Sequence, residues 1–195
     1  MQIPNLGFAD AIEEATQLLM EREAERNKWL NDDGSQKKNY WWKYASKTKQ
    51  GDAGESVVRT VFDLLFSYLY GNDVECNVVN KGKGDFDVLV VVPSLDKEFR
   101  IEVKTATEDV NVAHQFNGLK KGIGYDFAFL FGVAPEKYYF RVESHDYLSE
   151  VMTTNMSKDV EGSYKYTLNQ RYLQEFTEQN LYEELIAKGM IDKQD

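Results

Sequence analysis

Asp85, Asp87, Glu102 and Lys104 fall within one stretch, residues 84–105, that is otherwise rich in β-branched and aromatic side chains. Carboxylates are the oxygen donors that hard divalent cations take, and an ammonium beside them can meet a phosphate or a reacting water. Two apolar runs, 88–92 and 99–103, flank a turn carrying Pro93, Ser94 and Asp96, which predicts a β-hairpin. Side chains alternate along a strand, so Glu102 and Lys104 share one face while Ile101 and Val103 share the other. Asp85 and Asp87 share a face by the same rule, and a simple register brings Asp87 close to Glu102 and Lys104. Two carboxylates and one ammonium on the rim of an apolar sheet are costly unless a metal ion, or their mutual pairing, compensates them.

The elements that must position these residues can be read in order. Residues 8–30 are rich in Glu, Ala, Arg and Leu, with Ile12, Ala15, Leu18, Leu19 and Trp29 at helical spacing, and predict a long amphipathic helix ended by Asn31 to Ser35. Residues 37–50 interleave lysines with Tyr40, Trp41, Trp42 and Tyr44. That pattern suits either a nucleic-acid surface or a helix with an aromatic inner side and solvated lysines. Residues 52–70 predict a buried helix, with a broad apolar stripe that includes Val57, Val61, Leu64, Leu65 and Tyr68. Residues 74–79 predict a strand, and 80–84 a turn in which Lys81 and Lys83 precede the acidic strand. A short helix is expected over 112–117, strands over 125–133 and 137–142, a helix over 145–152, a short strand over 164–168 and a last helix over 179–190.

The Asp, then a hairpin, then Glu-x-Lys resembles the PD-(D/E)XK nuclease superfamily, carried by Asp87, Glu102 and Lys104, with Glu55 on the helix upstream. Phe86 stands where the family usually has Pro, and the family pattern favours Asp87 over Asp85. The likeness spans residues 52–142. It implies a restriction-endonuclease-like α/β (α+β) fold with an αβββαβ core, a mixed central sheet flanked by helices, and extra helices at both ends. It implies Mg2+, with Mn2+ able to substitute, held by Asp87, Glu102 and the main-chain carbonyl of Val103. It further implies that Lys104 orients or deprotonates the attacking water, with Glu55 as an accessory acid. Glu55 has a second reading, since Asp52 and Glu55 match a capping box. Gln115 is compared with the helical Gln-x-x-x-Tyr motif of the exonuclease-like branch, but Leu119 occupies the Tyr position.

At 195 residues the chain suits one domain with a core of its own: a 1–50 extension, a 52–142 catalytic core and a 144–195 addition. No apolar run is long enough to span a bilayer, and the start lacks the pattern of a signal peptide. One cysteine, Cys76, fits a reducing, cytoplasmic setting, and Cys76, His114 and His145 lack zinc-site spacing. The net charge of −10 argues against indiscriminate binding to nucleic acid. It conceals a basic block, however: residues 34–50 hold Lys37, Lys38, Lys43, Lys47 and Lys49 and no acid, whereas residues 1–33 carry eight acids against three bases. Lys37, Lys38, Lys43, Lys47, Lys81, Lys83 and Gln115 are therefore the candidates for DNA contact. The leading expectation is a Mg2+-dependent DNA endonuclease of restriction-enzyme type. The alternatives are a structure-specific nuclease, such as a junction resolvase or repair enzyme, and a non-catalytic DNA- or protein-binding domain. A homodimer is expected, joined through residues 8–30 or the region after Ser144.

Overall fold

The computed structural model describes residues 20, 23–71, 73–78, 85–122, 124–152, 156–158 and 162–192. A short helix α1 (Tyr40–Tyr44) leads into the long α2 (Lys47–Tyr70). The strands β1 (Glu75–Val78), β2 (Val88–Val92), β3 (Lys97–Thr107), β4 (Ala113–Lys120), β5 (Phe127–Val133) and β6 (Tyr138–Ser144) follow. Then come α3 (His145–Val151), β7 (Ser157–Lys158), β8 (Ser163–Asn169), β9 (Gln174–Glu175) and α4 (Glu178–Ala187). The fold is mixed α+β. Its main sheet has six strands in the order β1-β2-β3-β5-β6-β9, and β4-β8-β7 form a second, three-stranded sheet. Among the described residues only β3 and β5 pair in parallel, with Val103 opposite Phe129, so the main sheet is mixed. No described helix is long and apolar enough to cross a membrane.

Alternation along the strands divides the core into two layers. Ile101, Val103, Phe129, Phe131, Phe140 and Val142 face α2 and α4, packing on Phe62, Phe66, Leu181 and Leu185. Ala106, Ala128 and Leu130 face the second sheet and α3, meeting Phe116, Leu119, Tyr166 and Leu148. Glu102 and Lys104 lie on this second face. Each apolar layer removes several large side chains from water, at about 1.5–3 kcal/mol per fully buried one.

Three local readings are corrected. The helix expected from 52 begins at Lys47, where the Ser46 hydroxyl accepts the Lys49 N–H at 3.3 Å. Asp52 and Glu55 are therefore well inside the helix, and the capping-box reading fails. Gly54 is tolerated there because α2 presses on β3: a Cβ at Gly54 would collide with the Thr105 hydroxyl. Second, the helix expected over 112–117 is a strand. Phe116 and Leu119 are both buried at helical spacing because the β4–β8 register slips between them, which restores Leu119 to the inner face. The crossover between the two parallel strands is thus made by β4, and the αβββαβ order has a strand in place of its second helix. Third, residues 37–50 are no continuous aromatic face, for Trp42 packs on Phe131 and Tyr138 while Trp41 stays 69% exposed.

Candidate active site

Asp87 sits where the hairpin ladder ends. Val88 pairs with Ile101, so the next position along puts Asp87 across from Glu102. The Asp87 N–H donates to the Ile101 carbonyl at 2.9 Å, and its Oδ2 accepts the Val103 N–H at 2.8 Å. The carboxylate thus replaces the missing β2 neighbour of a strand edge that would otherwise keep an unpaired donor. Within a strand, the N–H and C=O of one residue point to the same edge, so the Val103 carbonyl opens toward Asp87 as well.

Glu102 is only 6% exposed, and its carboxylate is ion-paired to the half-buried Lys104 ammonium. Burial pushes the Glu102 carboxyl up to about 6; the Lys104 ammonium opposes that shift and the Asp87 charge adds to it. Tyr125 lies close enough to feel the same carboxylate. Its phenol is raised by burial and by the Glu102 charge, and its ring stands edge-on to His145, with centroids 4.8 Å apart. Gly118, at φ +79°, carries the β4 backbone past Lys104; a Cβ there would lie 3.9 Å from the lysine Cε. Nothing in the spacing singled out Tyr125 or Gly118, since both are brought here by the second sheet and the loop after it.

Asp87, Glu102, Lys104 and Val103 are therefore grouped together. Asp85, two residues before, is exposed and faces Gly124 instead. Glu55 is buried on α2, the helix covering the opposite face of β3 from Glu102 and Lys104. Gln115 points outward from the second sheet, exposed and opposite Thr167. In the basic block, Lys37 donates to the Lys28 carbonyl at 3.0 Å, and Lys38 lies over the Tyr138 ring. Lys43 is paired with Glu25 above the Trp29 ring, and Lys47 donates to Gln50 at 3.3 Å. Lys81 and Lys83 lie outside the described residues.

Among the described residues no three His, Cys, Asp or Glu side chains group as a metal cage. The donor set at β3 is two carboxylates and a main-chain carbonyl. That set suits Mg2+, which keeps several waters and is usually held by one or two carboxylates plus substrate phosphate. The pair also carries excess negative charge, two carboxylates against one ammonium, and a cation would relieve it.

No protein-family model matches the chain, and no curated protein matches it. Among solved structures it is similar to a bacterial homing endonuclease, I-Ssp6803I, with a TM-score of 0.45 and 11% identity, over 77% of this chain and 100% of that one. That likeness is too slight to carry an argument.

Proposed function

We propose that this protein is a Mg2+-dependent deoxyribonuclease of the PD-(D/E)XK kind that hydrolyses phosphodiester bonds, as a restriction-type endonuclease does. The observation that carries the reading is the grouping of Asp87, Glu102 and Lys104 beside the Val103 carbonyl at the end of the hairpin ladder. Asp87, Glu102 and Val103 would hold the ion, which when bound supplies charge stabilisation at the phosphate and a more acidic water. Lys104 is placed to orient that water and to meet the negative charge growing on the phosphate oxygens. Asp87 does double duty, because its bond to the Val103 N–H fixes the strand edge that presents the carbonyl. Of the candidates Lys37, Lys38, Lys43 and Lys47, Lys38 and Lys47 are the exposed ones and would be those to reach a phosphate backbone.

The test is digestion of mixed plasmid and phage DNA with Mg2+. Discrete fragments that vanish in Asp87→Ala and Lys104→Ala support the reading. Cleavage at the wild-type rate in either variant overturns the site. Cleavage confined to branched DNA would favour a structure-specific nuclease.

A second reading has its own observation. Glu102 is nearly closed off from solvent and already paired with Lys104, as in a purely structural ion pair. A chain that binds DNA but leaves it intact with Mg2+ and with Mn2+ would favour it.

A further inference from the structure

The second sheet carries charge of the opposite sign to the chain as a whole. Its described parts and the turns beside them, residues 113–121, 156–158 and 162–172, hold Lys120, Lys121, Lys158, Lys165 and Arg171 and no acid, in a chain with 33 acidic and 23 basic residues. Asp159 and Glu161, between β7 and β8, lie outside the described residues. The strand register gathers three of these cations. Lys120 pairs with Ser163 on β8, and Lys158 of β7 pairs with the next residue, Tyr164. Lys120, Lys121 and Lys158 therefore stand at one end of the sheet, about 10 Å apart across two strand spacings. All three are exposed, and none is ion-paired among the described residues.

That end of the sheet lies beside the candidate site. β4 turns back along β3 from the Glu108–His114 bridge, and counting on from the bridge sets Gly118 level with Lys104 and Lys120 level with Glu102. Gly118 does approach the Lys104 Cε, and the Tyr125 hydroxyl, from a ring close to Glu102, comes to 3.5 Å from the Lys120 carbonyl. The lysines of residues 37–47, by contrast, accompany α1, whose Trp42 packs on Phe131 and Tyr138 in the layer on the other face of the main sheet.

We propose that Lys120, Lys121 and Lys158 form a phosphate-binding edge on which duplex DNA lies, its backbone passing from them to Lys104. The identity of the polyanion rests on the nuclease reading; the place of contact rests on charge and register. Duplex DNA carries one charge per about 1.7 Å of its axis, so a span of about 10 Å meets several phosphates, and each lysine that closes on one releases counterions.

The test is fluorescence anisotropy of a short labelled duplex, with EDTA and over a range of KCl concentrations. The triple variant Lys120→Gln, Lys121→Gln, Lys158→Gln should bind about tenfold or more weakly at low salt, with a salt slope flatter by about 2 to 3. Each single variant should flatten the slope by about 1. The three side chains are exposed, so the circular dichroism spectrum should be unchanged. A wild-type chain that binds the duplex, with its affinity and slope matched by the triple variant, overturns the edge and leaves the nuclease reading standing. Binding that depends on the three lysines, with no cleavage once Mg2+ is added, supports the edge and overturns the nuclease reading. A chain that binds no duplex, or whose three lysines matter only for single strands or RNA, overturns the proposal.

Discussion

Burial holds the Glu102 carboxyl above the usual glutamate range. In the folded chain its carboxyl keeps the proton up to about pH 6, against 4.5 for a free glutamate. Between those values the folded state binds more protons than the unfolded one, so stability falls as pH rises through the window. The cost above pH 6 is about 2 kcal/mol. Glu102→Gln should therefore raise metal-free stability by about that amount at pH 8, read from urea melts, while cutting Mg2+-dependent cleavage about 100-fold or more. Lys104 keeps some contact with water, so losing its partner costs less than a fully buried ammonium would. A fall in stability would show instead that the ion pair holds the strand. Asp87 separates structure from chemistry differently. Asp87→Asn keeps an acceptor for the Val103 N–H, whereas Asp87→Ala leaves that donor bare and should unfold about 1 kcal/mol more easily. Both should abolish cleavage.

Among the elements, α2 and β3 approach so closely at Gly54 that no side chain fits between them. Gly54→Ala should destabilise the chain by about 1–3 kcal/mol through collision with Thr105, and Thr105→Ala should restore much of the loss in the double variant. Here the sequence was misleading for a physical reason. Gly51 weakens helix propensity just ahead of Asp52, so the sequence reads as a helix over 52–70, while the tertiary contact that requires a small residue at Gly54 is invisible in one dimension. The first hairpin strand, by contrast, is legible to the residue, whereas its partner runs over Lys97–Thr107 and exceeds the expected 99–103 at both ends. Val88–Val92 is observed as expected, and the faces of Asp87, Glu102 and Lys104 follow from alternation alone. The β4 strand was not legible, because its bulge puts Phe116 and Leu119 at helical spacing. The lysine block read as free charge. Lys37 and Lys43 instead hold a main-chain carbonyl and Glu25. If Lys38 and Lys47 meet phosphate, neutralising them should flatten the salt dependence of DNA binding, whereas an unchanged slope would leave them as solvated surface.

Across the whole molecule the two sheets close on His114, which is fully buried on β4 against Gly132 of β5. Burial lowers its imidazole to about 4, with Asp109 opposing and Lys28 assisting. Between pH 6.5 and 4 the unfolded chain binds the extra proton, so stability falls on acidification, by about 2 kcal/mol at pH 5. His114→Leu should remove most of that loss between pH 7 and pH 5 in urea titrations. If the loss is the same in the variant, the sheets are not coupled through this ring. This trend opposes that of Glu102, so the two variants should tilt the pH profile in opposite directions. From one sequence, His114 could be read only as an ordinary histidine. What buries it is the second sheet, assembled from strands about fifty positions apart.

That assembly fixes an order of events. β4 is synthesised between the parallel partners β3 and β5, yet pairs with β8, at Ser163–Asn169. Pairings so distant in sequence form late, after the hairpin and the local β5–β6 pair. On a ribosome, the face bearing Glu102 and Lys104 therefore lacks this roof until β8 has emerged. The candidate site is thus completed only by a strand made well after the residues it covers.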